Sequence, residues 1–167
     1  WSALLHDVGK IGIRDDVLKK TSKLTDSEFR HIQEHPVRSH KVVQQVPQLA
    51  RALDGVLLHH EHYDGKGYPM GLAGEQIPLQ ARIIQIADVF DALTSTRSYR
   101  PAHDWRRALA IMEAESGKTV DPSLRKAFDE LIRMELEAGR PACGVPAGPQ
   151  AGSAWEGLLE RANRFAA

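Results

Sequence analysis

LQARIIQIADVFDALTS, residues 79–95, repeats apolar side chains at three- and four-residue steps, so that Ile83, Ile86, Ala87, Phe90 and Leu93 form one stripe of a helix. Asp88 and Asp91 stand three residues apart beside that stripe, with Ile84 one turn before Asp88, which puts both carboxylates on one side. No other segment offers a convincing strand, and no internal repeat has solenoid spacing. The fold class that follows is all-α.

The flanking sequence supplies helix boundaries of the same kind. Residues 2–8 read as a helix stopped by Gly9 and Gly12. In LTDSEF, Thr25 and Glu28 have the spacing of a capping box, opening a helix expected to run to about His35, where Pro36 should kink or break it. VRSHKVVQQV continues as a further helical segment, and LARALDGVLLHHEH as another. The glycines and prolines of YDGKGYPMGLAGEQIP then forbid regular structure. Asp104 caps a helix predicted to end at Gly117, and Asp121 followed by Pro122 opens one predicted to end at Gly139. One domain is expected over residues 1–138, a Pro/Gly/Ala linker over 139–153, and a short amphipathic C-terminal helix over 154–167, carried by Trp155, Leu158, Leu159 and Ala162.

The chain has 167 residues with 22 Lys and Arg against 22 Asp and Glu. That length buries one ordinary core, and the charge balance argues against a protein built to neutralise DNA or an anionic membrane. No run is apolar for the length a membrane span needs, and no secretory signal opens the chain, so a soluble, cytoplasmic protein is expected. Cys143 is the sole cysteine, which excludes an internal disulfide framework. The start at Trp1, already helical in character, reads as a piece of a longer protein.

The groups that carry chemistry are His6, Asp7, His35, His59, His60 and Asp88. Imidazoles and carboxylates without thiolate suit borderline first-row metals, iron or manganese ahead of structural zinc. Six such groups exceed what one ion requires and point to a two-metal site in a bundle core. His6 and Asp7 close an apolar segment, where burying them unpaired would cost about 2–7 kcal/mol or more. His31, His40, His62 and His103 read as ordinary surface or hydrogen-bonded histidines.

LLHDVGKIGI, the LT-to-EHP stretch, HHEHYDGKGYPMGLAGEQIPLQARIIQIADVFDALTSTRSYRP and GKTVDP, in that order over roughly residues 1–137, resemble the HD-GYP family of the HD phosphohydrolase superfamily. The resemblance implies an all-helical bundle with a Gly/Pro-rich GYP loop, two divalent metal ions or three, and hydrolysis of the bacterial second messenger cyclic di-GMP to linear pGpG or onward to GMP. It makes His6, Asp7, His35, His59, His60 and Asp88 metal ligands, with Asp7 bridging, and sets Lys10 against the scissile phosphate. Gly67, Tyr68, Arg97 and Arg100 become substrate contacts, and Asp91 a partner that orients a ligand or an arginine. It further implies an upstream regulatory or sensor domain, and diguanylate cyclase (GGDEF) domains as partners. The alternatives are a non-hydrolytic cyclic-dinucleotide receptor or interaction module, another HD phosphohydrolase, and a hydrolase of cyclic GMP-AMP. This chain departs from the family pattern at KKTSK before the LT stretch and at Ser39, where the family usually carries glycine. The family's preceding helix, which can add a Glu and a His to the metals, has no counterpart here, and the third ion depends on it.

Overall fold

A computed structural model describes residues 1–96 and 101–137. Among these, eight α-helices alternate with 3-10 turns and no strand forms; Ser116 and Val120 make one isolated bridge. Arg97 and Arg100 lie outside the described residues, as do the linker and the C-terminal amphipathic segment expected over 139–167. No helix among the described residues is long and apolar enough to cross a membrane.

Helix α1 (Ser2–Leu5) is shorter than the glycine signals suggested, because the chain tightens into a 3-10 turn over Val8–Gly12. Helix α2 (Asp15–Leu18) was not anticipated. Helix α3 (Asp26–Ile32) opens on the expected capping box, with Thr25 and Glu28 each accepting from the other's backbone N–H. Lys20, from the divergent KKTSK stretch, bonds both oxygens of Glu28 at 2.8 and 2.6 Å and ties that loop to the cap.

Pro36 does not kink a continuing helix but stands in the first turn of a new one, α4 (His35–Val43). There its missing N–H costs nothing, because first-turn N–H groups have no intrahelical acceptor. The helix expected through residues 49–62 is also divided, into a 3-10 turn over Pro47–Ala52 and α5 (Leu53–Leu58). His59 and His60 consequently follow the end of α5 rather than lying within it.

Helix α6 (Leu79–Thr94) is central. It buries Ala81, Ile84, Gln85, Ile86, Phe90 and Thr94, whereas Ile83 and Ala87 of the expected stripe face outward, Ile83 being 50% exposed. The stripe is rotated because α6 is packed from two directions. Its first half meets α1 and α5; its second half meets α7 (Trp105–Ala114) and α8 (Pro122–Glu137). Ile86, Phe90, Ala108, Leu109, Met112, Val120 and Ile132 form the core on the latter side, with Phe90 edge-on to Phe128 at 5.2 Å. Full burial of each large side chain there contributes roughly 1.5–3 kcal/mol.

Helices α7 and α8 start as predicted. Asp104 accepts from Arg106 N–H, and Asp121 from the N–H groups of Ser123 and Leu124. Asp121 also takes Arg82 of α6 at 2.6 Å, an ion pair almost wholly removed from solvent. Gly117, at φ +80°, turns the chain between α7 and α8, well after α7 has ended.

Candidate metal centre

Three histidines follow the same local rule. The Nδ1 atom of His6 lies 2.7 Å from the carbonyl of Ala3, that of His35 2.8 Å from Ile32, and that of His59 2.8 Å from Val56. Each carbonyl is in the last turn of α1, α3 or α5, where helices leave carbonyls without an intrahelical donor. A carbonyl can only accept, so Nδ1 of each ring carries a proton, and Nε2 is the nitrogen left to present a lone pair to a metal. The chain thus fixes three tautomers with three helix ends.

Those lone pairs converge. His35 Nε2 lies 3.3 Å from His59 Nε2 and 3.2 Å from Asp7 Oδ1, and His6 Nε2 lies 3.5 Å from Asp7 Oδ2. The ligand atoms of His35, His59 and His60 all fall within 4.8 Å of one another, as do those of His6, Asp7 and His59. Asp7 Oδ1 is buried and has no hydrogen-bond donor; His35 is near enough, but its proton is committed to Ile32. Acceptors aimed at acceptors repel unless a cation stands among them. The residues present therefore fit a metal centre, and the two ligand groups overlap at His59.

Burial keeps the site ready for metal. His59 and His60 are pushed down to about 3 and about 2, first by loss of solvent and then by neighbouring imidazoles, so both rings are neutral at physiological pH. Burial pushes the Asp7 carboxyl up, but its polar neighbours, the Lys10 ammonium among them, more than offset this and hold it well below the ordinary carboxylate range. Lys10 Nζ lies 2.6 Å from Asp7 Oδ2, at the half-exposed edge of the site.

The glycine-rich loop is built against this cluster. A Cβ on Gly67 would fall 2.1 Å from His62 N and 2.5 Å from both Glu61 Cα and His60 O, so only glycine allows the loop backbone to lie on residues 60–62. Tyr68, joined to Pro69 by a cis peptide bond, donates its N–H to His60 O at 3.1 Å and stacks its ring on His60, centroids 4.9 Å apart. Burial, reinforced by the charges of Asp88 and Asp7, pushes the Tyr68 hydroxyl well above its usual pKa, so it stays protonated as a donor.

Sequence reading passed over Glu61. Its side chain is fully buried, and its carboxylate accepts from Met70 N–H at 2.5 Å and Leu72 N–H at 3.0 Å, while its carbonyl accepts from Gln85 of α6. Among so many histidines it carried one signal, a carboxylate three residues beyond the apolar run of Val56, Leu57 and Leu58. The GKTVDP turn supports the same loop: Tyr63 and Asp64 donate their N–H groups to Thr119 and Lys118 carbonyls at 3.2 and 2.8 Å.

Of the residues singled out from sequence, the fold brings His6, Asp7, His35, His59 and His60 together, with Lys10 and Tyr68 at the rim. Asp88 is half-buried outside both ligand groups, within electrostatic reach of Tyr68. Asp91 is exposed and accepts from Ser95 Oγ at 3.2 Å. Ser39, flagged as a departure, is completely buried; its hydroxyl accepts from Gly9 N–H at 2.8 Å and donates to His6 O at 2.7 Å.

Residues 1–124 match the family model described as HD domain. A cyclic di-GMP phosphodiesterase of Vibrio cholerae is 46% identical over 134 residues, which span 76% of this chain and 27% of that protein. The cyclic di-GMP phosphodiesterase response regulator RpfG of Xanthomonas campestris pv. campestris is 44% identical over 134 residues, 79% of this chain and 35% of the relative. A 3'3'-cGAMP-specific phosphodiesterase 3 of Vibrio cholerae is 40% identical over 133 residues, 80% of this chain and 29% of the relative. The chain thus spans between a quarter and little more than a third of these relatives. The crystal structure of a cyclic GMP-AMP specific phosphodiesterase of V. cholerae superposes with a TM-score of 0.57 at 24% identity, covering 79% of this chain and 37% of that one, a likeness of fold.

Proposed function

Because this chain belongs to the HD-GYP family of HD-domain phosphohydrolases, we propose that it hydrolyses cyclic di-GMP to the linear dinucleotide pGpG, using divalent metal held by its histidine–aspartate cluster. The observation that carries this reading is the approach of His35 Nε2 both to His59 Nε2 and to the donor-less oxygen of Asp7. His6, Asp7, His35, His59 and His60 would hold two ions, with Asp88 completing the set and iron or manganese favoured by a donor set of imidazole and carboxylate. A third ion requires ligands beyond these six. When bound, divalent ions supply an acidified water and neutralise charge on the phosphoryl oxygens.

The chain's own residues do the rest. Asp7 presents a carboxylate on two sides of the cluster, one oxygen towards His35 and the other towards His6 and Lys10. Lys10 adds a fixed positive charge at the open edge, where the phosphate gains negative charge in the transition state. Tyr68, kept protonated, offers a hydrogen bond to a phosphate oxygen and walls the pocket beside His60. Gly67 lets that wall approach, and Arg97 and Arg100 are proposed as further phosphate contacts. These groups position the diester for in-line attack.

The wider setting is a cytoplasmic enzyme in a larger protein with a regulatory or sensor domain, able to meet diguanylate cyclase domains; the regulatory part of this reading is supported by one relative being named a response regulator. A second reading, hydrolysis of 3'3'-cGAMP, rests on the relatives named for that activity. The test is turnover of both cyclic dinucleotides by metal-analysed protein, with chromatography of products. Cyclic di-GMP should be opened to pGpG, and Asp7→Asn should lose metal and activity together. Tight binding of the dinucleotide without cleavage by metal-loaded protein would establish a receptor instead.

A further inference from the structure

The His6–Asp7 pair is in a segment that leaves α1 and tightens into a 3-10 turn, and no long regular helix fixes it. What fixes it is contact with α4. A Cβ on Gly9 would lie 2.3 Å from His35 O and 2.4 Å from Ser39 N, so the two backbones touch directly. Ser39 follows His35 by one helical turn on the same face of α4, and its hydroxyl bridges the two segments: it accepts from Gly9 N–H and donates to His6 O.

We infer that Ser39 is a positioning residue for the metal centre, its hydroxyl holding His6 and Asp7 in register with His35. The inference rests on the metal reading of the cluster. Asp7 and His35 come from the two segments that this hydroxyl joins, and they are 3.2 Å apart. A small slide of one segment on the other would separate them.

The consequence distinguishes two small substitutions in an unusual way. Ser39→Ala leaves Gly9 N–H and His6 O facing a methyl group, buried and without partners. Ser39→Gly removes the methylene as well and opens room for one water between the same donor and acceptor, the two polar partners a buried water needs. Helix propensity runs the other way, since glycine is the poorer residue inside α4.

The experiment is cobalt(II) titration of the metal-stripped 167-residue chain, read by visible absorption and chelator competition, beside melting of the metal-free proteins. Ser39→Ala is expected to weaken cobalt affinity by about tenfold to a hundredfold, the range for residues that orient ligands. Ser39→Gly should weaken it less, while its melting temperature falls below that of Ser39→Ala. Equal affinities across the three proteins, or affinities ordered like the melting temperatures, would overturn the assignment. If Ser39→Gly did not fold, unchanged affinity in Ser39→Ala would do so alone. Failure of the unmodified chain to take up cobalt would instead remove the metal reading, and this inference with it.

Discussion

Lys10 separates two jobs that a cation beside a metal site can do. Its ammonium lies 2.6 Å from Asp7, yet it contributes no lone pair and is half-exposed. Lys10→Ala should therefore leave metal stoichiometry unchanged by elemental analysis while lowering turnover by about a hundredfold, the usual loss for one charge-stabilising group. Loss of metal in that variant would reassign Lys10 to holding the Asp7 carboxylate. The neutral histidines give a pH dependence of definite sign. Folded His59 and His60 are depressed to about 3 and about 2 from 6.5, so below 6.5 the unfolded chain binds protons that the folded chain does not. Stability of the metal-free protein is then present above that pH and lost as pH falls towards 3. Urea midpoints across the acid range should show this slope, and His60→Gln should flatten it.

At the scale of elements, the GYP loop is held by hydrogen bonds to the residue just before it and to the turn before α8 rather than by its own regular structure. Glu61 accepts from Met70 and Leu72, and the turn at Lys118–Thr119 accepts from Asp64 and Tyr63. Glu61→Gln replaces one accepting oxygen by an amide donor, which must face a backbone N–H. An unsatisfied buried group costs roughly 1–3 kcal/mol. The expected result is a lower melting temperature and a raised KM for the cyclic dinucleotide, with metal affinity unchanged, because no cluster ligand is bonded to the Glu61 carboxylate. A fall in metal content would show that the loop and the cluster are one cooperative unit.

Across the whole molecule, the site belongs to the half of the bundle built from α1, α4, α5 and the first part of α6, while the aromatic core belongs to α6, α7 and α8. The Arg82–Asp121 pair joins the two halves at the turn that also supports the GYP loop. Removing one partner of such a buried pair leaves the other charge uncompensated, typically at about 3–5 kcal/mol. Arg82→Met should lower the urea midpoint accordingly and weaken substrate binding through the loop. Arg82→Met combined with Asp121→Asn should lose less than the sum of the two single changes, since the charge left behind is gone.

The residues that start helices were legible in the sequence, because Thr25 with Glu28, Asp104 and Asp121 act on N–H groups two or three positions away. The all-α class followed from apolar periodicity, which is equally local. The site was legible as a set of residue types and a family pattern, and the fold gathers five of the six expected ligands at one place. Which face of α6 is buried was not legible, for it depends on α1, α5, α7 and α8 arriving from two sides. Nor were the buried roles of Glu61 and Ser39, each polar in isolation and satisfied only by partners up to 33 residues distant. Capping and periodicity are properties of neighbours along a chain and survive in any fold. The aim of a lone pair and the burial of a carboxylate are properties of packed faces, and only the tertiary structure decides those.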